Sequence, residues 1–179
     1  MSDDTAHAAE KAWKEKIEAH RTAVENYVRS ALDVGERDWQ TTVVMDNWTP
    51  AQITEHLIRT YQVTLQELRG GPGVRPHYNF LLRPILRFTI LPKIFRSRRI
   101  PAGAKAPTEL MPEDSKASLQ GAVDQLEHIA NEFEREIFSR RNDKKVKISH
   151  HVFGAIELLE GLELATIHVD SHRQQLYRK

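Results

Sequence analysis

Apolar side chains return every three or four positions along four separate stretches of this chain, the period of amphipathic helices that bury one face. The first stretch runs from about Ala8 to Leu32, with Trp13, Ile17, Val24, Tyr27, Val28 and Ala31 on one stripe. A loop with Gly35 and Asp46-Asn47 is expected to follow. The second stretch has the clearest start: Thr49 can cap, Pro50 suits a first helical turn, and Gln52 completes a capping box. Its apolar face is Ile53, Leu57, Tyr61, Thr64 and Leu68, and Gly70-Gly71-Pro72-Gly73 should end it. The third spans roughly Glu113 to Arg141, with Leu119, Val123, Leu126, Ala130, Phe133 and Ile137 in register. The fourth runs from about Val152 to Tyr177, with Ile156, Leu159, Leu162, Ala165 and Val169 turned inward. The one competing strand signal is Val43-Val44-Met45.

Four such segments predict an all-α fold, a four-helix bundle. Residues 70–111 form a Pro/Gly-punctuated connection between the second and third segments, expected to hold one or two short helical turns between Tyr78 and Phe95. It is long enough to cross the bundle and return parallel, which predicts an up-down-down-up order with a long crossover between helices 2 and 3. No repeat or boundary divides residues 1–179, so one domain is expected, with 70–111 as a basic insertion.

Several classes fall away at once. The chain has no cysteine, so disulfides, thiolate metal sites and cysteine nucleophiles are excluded, and any metal must be held by nitrogen and oxygen donors. Nine histidines are available for that. No apolar run reaches the roughly 20 residues of a spanning helix, so stable membrane insertion is not expected. The acidic Met1-Ser2-Asp3-Asp4 start lacks the features of a secretory signal, and a cytoplasmic location is the expectation.

Charge is unevenly spread. Between Gly70 and Thr108 stand Arg75, Arg83, Arg87, Lys93, Arg96, Arg98, Arg99 and Lys105 with no acidic residue, which leaves 18 basic against 25 acidic residues elsewhere. Three readings compete for this segment. It can pack its apolar side on the bundle and solvate its arginines. It can act as a lid that recruits an anionic cosubstrate through Arg83 and Arg87, since the guanidinium fork suits carboxylates and phosphates. It can also be an interfacial element attracted to anionic lipid, a reading its prolines and short length count against. No nucleic-acid-binding module accompanies the cluster, and nucleic acid is not an expected partner.

His168 and His172 are four residues apart, so on a helix both rings leave one face about a turn apart and can reach one metal ion. A further ligand must come from another helix, and His56, one turn inside the second segment, is the candidate. Spacing alone leaves two solvated surface histidines and a hydrogen-bonded core histidine as open alternatives.

The residues from Trp48 to Leu57 (Trp-Thr-Pro-Ala-Gln-Ile-Thr-Glu-His-Leu) resemble the W-[ST]-x-x-x-[IVL]-x-x-H-[LI] segment of the DinB/YfiT-like superfamily. His168 to Leu176 is similar to that family's closing H-x-x-x-H-x-x-Q-[IL] element, and His151-Val152-Phe153-Gly154 resembles the H-P-x-F-G of some branches, with valine in place of proline. The resemblance covers the whole bundle, least well over residues 70–107. It implies an up-down-down-up bundle whose metal ligands fall on His56, His168 and His172. It also implies a divalent cofactor, zinc or nickel first and manganese or iron next. Members with known activity are largely transferases and isomerases that use thiols such as bacillithiol or mycothiol. The resemblance thus points to a metal-dependent enzyme acting on a small molecule by thiol transfer or hydrolysis, and homodimers are common among such proteins. The competing reading is a non-catalytic bundle that binds metal, a small ligand or a protein. No catalytic acid or base can be named from the sequence. Glu55, Thr60, Asp170 and Gln174 stand near the three histidines in sequence and could orient their rings. His150 and His151 are expected to cap the last helix or lie exposed, His20 and His128 show no partner pattern, and His77 sits in the long connection.

Overall fold

In a computed structural model, which describes residues 3–42, 48–75, 81–101, 106–113 and 116–177, the chain is mostly helical with one small hairpin. Helix α1 is Asp3–Trp39, α2 is Pro50–Leu68, α3 is Leu82–Thr89 and α4 is Leu91–Ser97. One turn of 3-10 helix, Thr108–Leu110, precedes α5 at Leu119–Ser139. Strands β1 (Ile148–His150) and β2 (Gly154–Ile156) then lead into α6 at Leu158–Arg173. The expectations for Val43-Val44-Met45, Asp46-Asn47 and His77 fall outside the described residues.

The four long helices form because their apolar stripes meet. Tyr27, Leu57, Leu68, Leu126, Phe133, Ile137, Leu162 and Ile167 are all fully or almost fully buried in one core cluster. Helix α1 packs on α6, α5 and α2, and α2 packs on α5. The capping box of α2 is present in both halves: Gln52 N–H donates to Thr49 Oγ1 (3.2 Å), and Thr49 N–H donates to Gln52 Oε1 (2.9 Å).

Three boundaries differ from the periodic reading. Helix α1 continues to Trp39 across a kink at Gly35, where φ is 76°, instead of ending near Leu32. Buried Trp39 holds that last turn by donating its indole N–H to the Ala117 carbonyl at 3.1 Å. Helix α5 starts only after Ser118, whose hydroxyl accepts from Gly121 N–H, and not near Glu113. The last helix begins at Leu158, and the residues expected to open it form the hairpin, with Ile148 opposite Ile156. These two isoleucines are buried, while Gly154 at φ 71° supplies a conformation that L side chains rarely adopt. Gly161 lets the hairpin reach α6, because a Cβ there would lie 2.6 Å from Ile148 Cδ1.

One polar network lies inside this core. His20 is fully buried, with Nδ1 2.9 Å from Glu134 Oε1 and Nε2 2.7 Å from the Tyr61 hydroxyl. A carboxylate only accepts, so Nδ1–H donates to Glu134 and Nε2 accepts from Tyr61 O–H. Arg21 donates to the second Glu134 oxygen at 3.0 Å. His20 therefore has partners on α2 and α5 that helical spacing did not reveal. Beside it, Tyr27 and Thr54 share a hydrogen bond of 2.8 Å.

Because the network is closed, deleting one member leaves buried groups unmatched. Glu134→Ala should lower stability by about 2–3 kcal/mol, read as a shift in the urea unfolding midpoint. An unmoved midpoint would remove the network from the structural account.

Candidate metal centre

Helices α2 and α6 bring His56, His168 and His172 together, with one ligating nitrogen from each ring within 4.8 Å of the others. His56 Nε2 is 3.2 Å from His168 Nε2, and His172 Nε2 is 2.9 Å from the same atom. Two imidazole nitrogens on one zinc-sized ion, at bonds of about 2.1 Å, stand roughly 3.0–3.4 Å apart. The first separation falls within that range and the second lies just below it. His56 is buried, while His168 and His172 are half-buried and keep the cluster accessible.

Each outer ring is held by an acceptor on its far side. His56 Nδ1 is 2.7 Å from the carbonyl oxygen of Leu110, and His172 Nδ1 is 2.9 Å from Gln175 Oε1. Those oxygens require Nδ1–H on both rings, so in the neutral state both Nε2 atoms carry lone pairs. The rings are held neutral: burial lowers the pKa of His56, lowers His168 well below its ordinary value, and takes His172 down to about 3, with neighbouring histidines adding to the last two. A single proton on His168 Nε2 can satisfy only one of two facing lone pairs. The donor set thus leaves unmatched negative potential at its centre, which suits a divalent cation. Trp48 forms one wall, its ring centroid 4.9 Å from that of His56 and nearly parallel to His172 at 6.4 Å.

The DinB superfamily model matches residues 16–176. The chain belongs to the DinB superfamily. No curated protein and no solved structure matches it. The match takes in α1 from Lys16 onward, the other three long helices and all three histidines of this DinB-superfamily chain, and family and donor set together suggest divalent-metal binding.

Among the described residues, the histidine rings take their partners elsewhere than from the four residues near them in sequence. The Thr60 hydroxyl bonds the His56 carbonyl, Glu55 pairs with Arg59, and Asp170 pairs with Arg98 and Arg173. The ring partners are Gln175 rather than Gln174, and a main-chain carbonyl. Gln175 stands three residues after His172, a spacing that marks one helical face. The Leu110 carbonyl had no signal, since every residue has one.

Arg87 on α3 is engaged away from the histidines. It pairs with Glu160 Oε2 at 2.8 Å and donates to the Ala155 carbonyl. Arg83 lies against Gly154, where an added Cβ would come 3.3 Å from its Cδ. Glu160 is eight residues before His168, about 12 Å along α6. His150, expected to cap or lie exposed, sits in the hairpin stacked on Phe153, and its Nδ1 accepts from Val152 N–H at 3.1 Å. Burial and the neighbouring His151 take its pKa to about 3.

These depressed values set an acid sensitivity. Folded pKa values near 3 lie below the ordinary 6.5, so as pH falls the unfolded chain takes up protons first. In metal-free protein their contribution is intact above about pH 6.5 and declines as pH drops toward 3. His150→Asn keeps an acceptor for Val152 N–H and removes the titration. Urea midpoints of this variant should fall less between pH 6.5 and 4.5 than those of the parent, and identical slopes would contradict the assignment.

Proposed function

We propose that this chain is a metal-dependent enzyme acting on a small molecule, with one divalent ion held by His56, His168 and His172. The observation that carries the reading is the convergence of three Nε2 atoms, two with their Nδ1 atoms on fixed oxygen acceptors. Zinc or nickel fits an all-imidazole set best, with manganese or iron next. Three neutral ligands leave such an ion its full charge, which lowers the pKa of a thiol or water placed on it. The protein's part is to orient the rings through Leu110 and Gln175 and to wall the site with Trp48. Thiol transfer with a bacillithiol- or mycothiol-like cosubstrate is the first reaction class, and hydrolysis the second. A cytoplasmic location suits such a cosubstrate, and no helix among the described residues is long and apolar enough to cross a membrane.

The same reading takes the four long helices as an up-down-down-up bundle. What supports it is the pairing of positions: His20 with Tyr61 and Tyr27 with Thr54 run opposite ways on α1 and α2, as do His20 with Glu134 and Glu36 with Leu119 on α1 and α5. Lys16 with Glu163 and Ser30 with Tyr177 run the same way along α1 and the α6 end of the chain.

Protein purified without an affinity column should carry one divalent ion per chain by elemental analysis. Alanine at any one of the three histidines should cut occupancy at least about tenfold, given the cost of losing one ligand of three, with helical circular dichroism retained. Full occupancy in all three variants would sink the site. On the cobalt-substituted protein, a low-molecular-weight thiol should add a sulfur-to-metal absorption band; a silent spectrum would leave hydrolysis or a non-catalytic metal-binding module. Arg83→Glu with Arg87→Glu should weaken thiol affinity if these residues recruit the cosubstrate, which for Arg87 requires release from Glu160. Unchanged affinity assigns both to the scaffold.

A further inference from the structure

Helices α3 and α4 are nearly one helix. Ile90 is in the right-handed helical region, and the bonds Ile90 N–H to Leu86 O (2.8 Å), Ile94 N–H to Ile90 O (3.0 Å) and Arg98 N–H to Ile94 O (2.8 Å) carry the ladder across the junction. Helical spacing therefore assigns faces over the whole of Leu82–Ser97. The inward face is apolar: Leu91 and Ile94 are buried, and Leu86, Ile90 and Phe95 pack on the core. The outward face is also apolar in its first half. Leu81 is 68% exposed, Leu82 48%, Ile85 58% and Phe88 77%. Stepping on from Leu81, Ile85 and Phe88 by three or four residues, the same stripe reaches exposed Pro92 and Arg96, with exposed Lys93 beside it, and exposed Arg99 follows just past the helix end at Arg98.

One stripe thus carries large apolar side chains at one end and cations at the other, in a segment from 70 to 108 without one acidic residue. Apolar residues shown singly need no explanation, but four on one short helix form a patch. Taking roughly 200 Å² for a large apolar residue, they expose about 500 Å². A standard protein interface takes about 800 Å² of mixed polar and apolar surface from each partner, so charge and not area decides the occupant. A second copy docked through this face would also bring the same cations with it. A nucleic acid would match the charge and leave the apolar half unused. An anionic bilayer surface matches both halves, since its acyl boundary takes leucine, isoleucine and phenylalanine while its headgroups attract arginine and lysine.

We propose that the outward face of α3–α4 is a peripheral docking surface for anionic phospholipid, with Leu81, Leu82, Ile85 and Phe88 entering the interface and Lys93, Arg96 and Arg99 lying on the headgroups. The contact is reversible and separate from the histidine cluster. It explains why four large apolar residues of Leu81–Phe95 are left out of the core when five others are packed into it.

The test is co-sedimentation of the full-length, metal-loaded protein with vesicles of phosphatidylcholine alone or phosphatidylcholine with phosphatidylglycerol. Partitioning should be at least about tenfold greater on the anionic vesicles and should fall with added salt, since each basic residue near such a surface contributes. Ile85→Ser with Phe88→Ser, and separately Arg96→Glu with Arg99→Glu, should each return binding to the phosphatidylcholine level. All four side chains are solvent-facing, so metal content and circular dichroism should be unchanged. Equal or absent binding to the two vesicle types overturns the proposal. So does a dimer in light scattering that dissociates with Phe88→Ser while vesicle binding stays absent, because the face then belongs to a second copy.

Discussion

Two imidazole lone pairs aimed at a third imidazole nitrogen repel one another, and the structure holds them there. The Leu110 carbonyl and the Gln175 amide oxygen fix the protons of His56 and His172 on the far side of each ring. Burial keeps the rings from relieving the repulsion by taking up a proton. What resists it mechanically is the packing behind the rings, where Leu57 beside His56 and Ile167 beside His168 are almost completely buried. A cation at the centre turns the same arrangement from a cost into an attraction. The local geometry and the core are therefore coupled: binding energy at the cluster is also folding energy for α2 against α6.

The connection between α2 and α5 has a part in this. Its Thr108–Leu110 turn delivers the carbonyl that orients His56. Upstream, the cations that made the segment look anomalous meet acids on α6: Arg87 with Glu160, and Arg98 with Glu163 at 3.6 Å and Asp170 at 3.8 Å. Partly exposed pairs of this kind contribute little each, about 0–1 kcal/mol. The anchoring comes from Leu91 and Ile94 in the core, and the ion pairs set where along α6 the segment lies. For Arg87 and Arg98, the basic excess on an acidic body is complementary charge within one chain.

Much of this was legible because it repeats or sits close in sequence. Stripe residues such as Val24, Tyr27, Leu57, Leu126, Phe133 and Leu162 are buried as their period required, and Thr49 to Gln52 spelled the start of α2. His168 and His172 announced a shared face by spacing, whereas His56 needed either the family resemblance or the fold. The hairpin was hidden because its strands have three residues each, too short for alternation to show, and because the residue before α6 is Glu157 and not a serine or threonine. The partners of His20 were hidden for another reason. Tyr61 lies 41 residues away and Glu134 lies 114, and no local pattern encodes a contact made only when three helices pack.

Helix α6 serves two neighbours at once, and its pitch keeps them apart. At about 100° per residue, His168 and His172 share one side, while Glu163 and Asp170 project to roughly the opposite side. The arginine of α4 docks on that second side. A charged segment that folded over the histidines would have had to neutralise or displace a cation there. Docked behind α6, the Arg98 charge is matched by carboxylates and kept off the face that carries His168 and His172. The proposed lipid-facing stripe of α3–α4 and the proposed metal site at half-buried His168 and His172 thus stand on different elements.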